Sequence, residues 1–249
     1  MNPCLGSKAR EVWAIVCLGK HHSHPPHAAA TGRLFLARFS GLTLVLLVSL
    51  LYQSQAAFAE SLVREVYDGD TIVLQDGRTI RYLGVNAPEM ASDMNPAQPF
   101  AREATHWNKN MVLGKTVRIE MDAETKDTFG RTLAYVYLPD GRMVNQAILA
   151  EGLAQYFPYR QNMKHGKLLL DAQRSAMQAR KGLWQTWKDK PGTYIANSRS
   201  LRFHEPGCPF GRKTASRNRH VFHRMWDAFW EGYFPCKQCL PGRGLSPKS

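Results

Sequence analysis

Residues 66–89, VYDGDTIVLQDGRTIRYLGVNAPE, decide how the chain reads. Asp68-Gly69 is a turn signal, Thr71-Ile72-Val73-Leu74 is β-prone, Asp76-Gly77 turns again, and Thr79 to Val85 resumes before a loop closed by Pro88. The pattern predicts strand, turn, strand, turn, strand. Asp68, Asp70, Arg81, Asn86 and Glu89 fall at its turns or strand ends, which brings their side chains together on one rim of a small sheet. Oxygen donors in such a place suit a hard cation such as Ca²⁺, and an arginine beside them suits a phosphate oxygen that the cation also touches.

Downstream, Met90 to Gln98 is polar, contains Pro96 and has no periodicity, so it reads as a loop. Pro99 suits the first turn of a helix, where a missing N–H is tolerated, and Phe100, Ala104, Trp107 and Met111 recur at helical spacing until Gly114. Lys115 to Met121 alternates as a strand, and Thr132 to Leu138 is another, turning through Pro139-Asp140-Gly141. Five strands with an inserted helix predict an α+β fold built on a five-stranded OB-like barrel. Two further helices are expected, Met143 to Ala154 ending around Gly152, and Lys167 to Trp184 with Leu169, Ala172, Ala176, Ala179 and Leu183 on one face.

The 33 basic against 20 acidic residues give a net charge of +13, which favours a polyanionic partner such as nucleic acid or an anionic membrane surface; a simply basic soluble protein is the plain alternative. Arg33 and Arg38 lead into the apolar run GLTLVLLVSLL (41–51), followed by Ala57-Phe58-Ala59, the pattern of a secretory signal cleaved before Glu60. The run is shorter than the ~20 residues that a membrane-spanning helix needs, so export is expected and an uncleaved anchor is the minority reading. Ahead of it, residues 1–32 carry a His-rich patch (His21, His22, His24, His27) to which no function is assigned. Cleavage would remove Cys4 and Cys17 and leave Cys208, Cys236 and Cys239, an odd number that cannot all pair internally. Residues 188–198 are polar, contain Pro191-Gly192 and read as a linker, after which the composition changes to a cysteine- and arginine-bearing segment.

The ordered blocks DGDTIVL, IRYLGVNAPE, DTFGRTLAYVYL and MVNQAILAEGLA resemble the staphylococcal nuclease (thermonuclease) family over roughly residues 61–187. The resemblance implies hydrolysis of DNA or RNA phosphodiesters to 3′-phosphate ends. It implies that Asp70 and Asn86 ligate Ca²⁺ together with the Ala87 carbonyl, that Arg81 and Arg131 hold the scissile phosphate, and that Glu89 activates or orients water. Asn86 departs from the aspartate of the family's type member; a neutral amide oxygen still ligates Ca²⁺, but with weaker binding expected. Taken singly, Asp68 and Asp70 also read as turn residues and Arg131 as a solvated loop residue. Tyr156, Phe157 and Tyr159 are candidates for stacking bases, with Arg160 nearby for phosphate, against the plainer reading of a packed aromatic cluster.

His204-x₃-Cys208 and Cys236-x₂-Cys239 present four ligands in two close pairs, a spacing that fits a tetrahedral structural Zn²⁺ site and uses every mature cysteine. One disulfide with a free thiol is the competing reading. A module of roughly 45 residues has little core of its own, so a metal is what it needs to fold. RFHEPGCPFGRK and NRHVFHRMWDAFWEGYFPCKQCLPG resemble the zinc-binding domain of the Ada DNA-alkylation repair protein, whose four ligands are all cysteine. With His204 where that domain has its methyl-accepting thiolate, methyl transfer is expected to be lost. His220 and His223 are expected at the surface, and Trp226, Phe229, Trp230 and Tyr233 on a helix face over the metal.

The expected organisation is an N-terminal extension (1–32), a signal peptide (33–59), a nuclease domain (60–187), a linker (188–198), a zinc-binding domain (199–243) and a tail (244–249). The expected function is an exported, calcium-dependent nuclease. The rival is a non-catalytic nucleic-acid-binding protein on the same fold, in which Asn86 marks a site that no longer holds calcium.

Overall fold

The computed structural model describes residues 60–93, 96–159 and 161–240, all within one compact unit. The expected N-terminal extension, signal peptide, Arg160 and residues 241–249 lie outside the described residues. Strands β1 (Glu60–Val66), β2 (Thr71–Leu74) and β3 (Thr79–Tyr82) form the predicted meander, followed by the short β4 (Val85–Asn86), helix α1 (Ala101–Val112), β5 (Thr116–Glu120) and β6 (Thr132–Tyr137). The barrel closes in the order β1-β2-β3-β6-β5, with β3 and β6 the parallel pair that connects the two halves. Every residue of β2 and of β6 is buried, so these strands read as continuous apolar runs rather than half-buried alternation.

Gly69 is set by close approach. A Cβ there would come within 2.6 Å of Ala87 Cβ and 2.8 Å of Ala104 Cβ, so only glycine lets the Asp68–Asp70 turn lie against both α1 and the loop after β4. Helix α1 starts later than Pro99 because Phe100 takes a left-handed backbone conformation with φ 65°. Its buried face is Ala101, Ala104, Thr105, Asn108 and Val112, with Trp107 and Met111 only partly covered. Asn108 is fully buried because its amide is used on both sides: it accepts from Tyr82 Oη at 2.9 Å and donates to the Asp68 carbonyl at 2.9 Å.

Helix α2 (Val144–Ala150) stops before Gly152, and β7 (Gln155–Tyr156) returns to pair with β4. Asn145, also fully buried, accepts the Val136 N–H and donates to the Leu83 and Ala134 carbonyls, tying the ends of β3 and β6 to α2. Helix α3 (Gly166–Gln178) is shorter than expected; Leu183 and Trp184 belong to a separate 3-10 turn.

The C-terminal part contains β8 (Tyr194–Asn197), β9 (Arg202–His204), helix α4 (Pro209–Arg212), β10 (Arg219–Phe222), helix α5 (Met225–Trp230) and β11 (Phe234–Pro235), with the sheet order β10-β8-β9-β11. Tyr194–Asn197, expected inside the linker, is therefore a strand of this sheet. A second hydrophobic core joins Ala176, Met177, Trp184 and Trp187 to Tyr194, Phe203, Phe229 and Tyr233. Phe229 contacts Trp184, Trp187 and Phe203 edge-on, each at 5.4 Å between ring centroids. The aromatic face of α5 thus packs first against Trp184 and Trp187, in the segment that follows α3. Burying these rings removes several hundred Å² of apolar surface from water, which holds the two parts together far more firmly than a flexible tether.

Candidate active site

The β2–β3 register pairs Thr71 with Arg81, which brings the arginine beside Asp70 at the foot of the first turn. Arg81 Nη2 lies 3.0 Å from Asp70 Oδ2, while Nη1 donates to the Tyr82 and Val85 carbonyls at 3.0 and 2.7 Å. Asp70 Oδ2 also accepts the Ala87 N–H at 2.6 Å, and Oδ1 accepts from Thr71 Oγ1. Burial drives the Asp70 carboxyl up from 3.8 to about 7; Arg81 and the Ala87 N–H oppose the rise, and the negative charges of Asp68 and Glu89 add to it. Asp68 has the turn role its position predicted, accepting the Asp70 N–H at 2.9 Å.

Asn86 reaches the rim through the β4–β7 pairing opposite Gln155. Glu89 sits on the exposed loop beyond, whose backbone is held by reciprocal bonds with Gln98: the Glu89 N–H donates to Gln98 Oε1 and the Gln98 N–H to the Glu89 carbonyl. Arg131 opens β6. Its Nε donates to Asp127 Oδ2 at 2.7 Å, and Asp127 also accepts the Arg131 and Phe129 N–H groups. Burial acts against the Asp127 carboxylate, but these bonds outweigh it and hold the group below its ordinary range. With Nε committed, the η nitrogens of Arg131 remain for a ligand.

Asp68, Asp70, Arg81, Asn86, Glu89 and Arg131 all line one cleft of about 510 Å³. Its mouth carries Phe129, 82% exposed, together with Phe157 and Tyr159. Four carboxylates, of Asp68, Asp70, Glu89 and Asp127, and the Asn86 amide line the cleft together with the guanidiniums of Arg81 and Arg131 and the Lys237 ammonium. The clustered carboxylate and amide oxygens, Asp70 buried among them, fit a hard cation. Ala87 is buried and contributes its N–H to Asp70; it does not line the cleft. Tyr156, expected as a base-stacking residue, is instead 3% exposed in the hydrophobic core, where its ring is covered by the protein. Phe129, Asp127, Asn108 and Lys237 were not singled out by sequence. The block DTFGR held a signal for two of them, since an Asx turn before a strand puts Asp127 under Arg131 and pushes Phe129 outward.

A second cluster is formed by His204, Cys208, Cys236 and Cys239, whose ligand atoms all lie within 4.8 Å of one another. The β9–β11 pairing sets Pro235 against Phe203 and so brings Cys236 next to His204. Backbone N–H groups of Gly211 and Phe210 point at the Cys208 sulfur and help lower its pKa in spite of burial, while burial pushes the Cys239 thiol up to about 12 against the opposing Glu205 N–H. Such N–H···S contacts suit thiolates, and the donor set and compactness fit a tetrahedral zinc ion. His220 and His223 are exposed and stand outside the cluster.

A family model described as "Staphylococcal nuclease homologue" matches residues 79–186. The chain is 39% identical to a thermonuclease of Staphylococcus hyicus over 125 residues, covering 49% of this chain and 73% of that protein. It is 39% identical to a thermonuclease of Staphylococcus intermedius over 127 residues, covering 50% and 75%. It is 40% identical to endonuclease YncB of Bacillus subtilis over 103 residues, covering 39% and 48%.

Proposed function

The chain belongs to the staphylococcal nuclease family, and from that premise we propose that it is an exported, calcium-dependent phosphodiesterase cleaving DNA or RNA to 3′-phosphate ends. The observation that carries this reading is the convergence of Asp70, Arg81, Asn86, Glu89 and Arg131 on one cleft. Asp70 and the Asn86 amide oxygen, which line the cleft, would hold Ca²⁺, and the carbonyl of the adjoining Ala87, although that residue does not itself line the cleft, is the further ligand that the family resemblance implies. Bound there, the ion supplies charge to polarise the phosphoryl oxygen. Glu89, exposed and flanking the cleft, accepts a proton from the attacking water. Arg131, fixed by Asp127, presents its η nitrogens to the phosphate. Arg81 is held between backbone carbonyls and Asp70, so it meets charge gained in the transition state with little reorganisation. Tyr159, with Phe129, offers the mouth of the cleft a face for a base, and Arg160 adds a phosphate contact. Zn²⁺ on His204, Cys208, Cys236 and Cys239 is structural.

Export rests on the signal at residues 33–59, with cleavage near Ala59; among the described residues no helix is long and apolar enough to cross a membrane. Asn86 supports the second reading, a non-catalytic nucleic-acid binder, because a neutral ligand weakens the calcium site. Cleavage of DNA and RNA by the processed protein with calcium, with chelator, and by Glu89→Gln separates the two. Calcium-dependent cleavage that the chelator abolishes and Glu89→Gln strongly reduces supports the nuclease; tight binding without cleavage at millimolar calcium supports the binder.

A further inference from the structure

The cleft contains one residue that the nuclease domain does not supply. Lys237, on the turn between Cys236 and Cys239, lines it together with Asp127, Phe129 and Arg131 and is exposed. The same lysine lines a neighbouring groove of about 490 Å³, together with Asn197, Ser200, Arg202 and Phe210. Lys237 is thus the shared wall between the two depressions.

The placement of that lysine is set by packing. Phe157, a cleft residue of the nuclease domain, meets Phe234 of β11 at 4.8 Å between ring centroids, and the Arg202 guanidinium lies 4.5 Å over the Phe157 ring. Phe234 precedes the metal-site cysteine by two positions, so this contact fixes where the turn, and Lys237 on it, can stand. The second groove has the chemistry of an anion path: Lys237 and Arg202 are cationic, and one η nitrogen of Arg202 is buried with no hydrogen-bond partner among the described residues. Phe210 is 55% exposed on the same groove, where a base needs an apolar face.

We propose that Lys237 is a phosphate-binding residue of the nuclease cleft, and that a single nucleic-acid strand leaving the cleft crosses it into the groove bounded by Arg202 and Phe210. The C-terminal module then acts as a wall of the substrate track. This rests on the nuclease reading for the identity of the strand. A flexible tether would raise local concentration without fixing a phosphate; a rigid cationic wall selects where one phosphate sits. A single strand is favoured because its bases are free to stack on Phe129 and Phe210.

Fluorescence anisotropy of a labelled 16-nucleotide single-stranded DNA, titrated with the processed protein in calcium-free buffer, tests the proposal. Lys237→Ala is expected to weaken binding by about 3- to 10-fold and to reduce the magnitude of the log–log salt slope by about 0.7, the signature of one lost phosphate contact on a single strand. Lys237→Glu weakens binding further, and Lys237→Arg restores it to within about 2-fold. Lys188→Ala removes an equal charge from an exposed position on neither depression and is expected to change little. In a cleavage assay Lys237→Ala raises KM for the 16-mer and leaves kcat unchanged. Wild-type affinity and slope in Lys237→Glu overturn the proposal, as does an equal loss in Lys188→Ala. If the wild type cleaves nothing while the Lys237 series still loses affinity, the nuclease reading fails and the Lys237 site stands.

Discussion

Gln173 donates from its side-chain amide to the Phe229 carbonyl at 2.9 Å, across the boundary between the nuclease domain and the C-terminal module. Its other amide atom accepts the Tyr156 N–H at 2.7 Å, and the residue is fully buried. One side chain therefore satisfies backbone groups of β7 on one side and of α5 on the other, next to the rings that bury Trp184 and Phe229.

Replacing Gln173 with Leu takes the side-chain acceptor from the buried Tyr156 N–H and one of two donors from the Phe229 carbonyl, which keeps the Gly232 N–H at 3.0 Å; the unpaired N–H costs about 1–3 kcal/mol. Urea denaturation is expected to show that loss. Gln173→Leu with wild-type stability would mean that water reaches the Tyr156 N–H and that the bridge adds nothing.

Removing the ring of Phe229 opens a cavity between Trp184, Trp187 and Phe203. Phe229→Ala is expected to cost about 3–5 kcal/mol, measured by thermal or chemical unfolding followed by tryptophan emission. A loss below ~1 kcal/mol would show that the module's packing contributes little to the fold.

Asn86→Asp adds a charged oxygen to the calcium ligands. Half-saturation by calcium, followed by titration calorimetry or by cleavage rate, is expected at a lower calcium concentration than in the wild type. No change would place Asn86 outside the coordination shell.

Asp70 gives calcium binding a pH dependence. Its folded pKa is raised to about 7 from 3.8, so in the metal-free protein the proton stabilises the fold fully below 3.8, and that stability is lost as pH rises through about 7. A bound cation must displace the proton. Calcium affinity is therefore expected to climb between pH 5 and 7 and to level off above it; a flat profile over that range would show Asp70 ionised throughout.

Glu120 has the opposite sign. Burial raises its pKa, but hydrogen bonds from Lys164 at 2.7 Å and His165 at 3.0 Å outweigh that and bring it from 4.5 down to about 2. The stabilisation is present above 4.5 and disappears as pH falls through about 2. The stability difference between the wild type and Glu120→Gln is expected to shrink as the solution is acidified from pH 5 towards 2. A difference that does not change with pH would assign the effect to packing alone.

The metal cluster gives a direct stoichiometry. Thiol modification of the purified protein is expected to release one Zn²⁺ per chain to a chromogenic chelator, and Cys236→Ser to reduce that yield and destabilise the module. Disulfide formation between any two of the three cysteines, with no zinc released, would overturn the assignment.

Local chemistry in the chain determined the meander and the barrel, and it marked the two groups of donor residues that the fold brings together. Turn pairs such as Asp68-Gly69 and Asp76-Gly77 specify their bends from a few adjacent residues, and ligand pairs such as Cys236-x₂-Cys239 carry their geometry in their spacing. Helix ends were legible only to within a turn, because Phe100 adopts a left-handed conformation that nothing in its neighbours announces. Tertiary structure alone decided the rest. Tyr156 and Tyr159 are three positions apart in one segment, yet strand pairing buries the first and leaves the second at the cleft. Asn108, Asn145 and Gln173 look like surface polar residues until long-range backbone partners account for their burial. Lys237 has no local signal at all: its place in the cleft that Arg131 also lines depends on Phe157 meeting Phe234, a contact between residues far apart in the chain that exists only once both cores have packed.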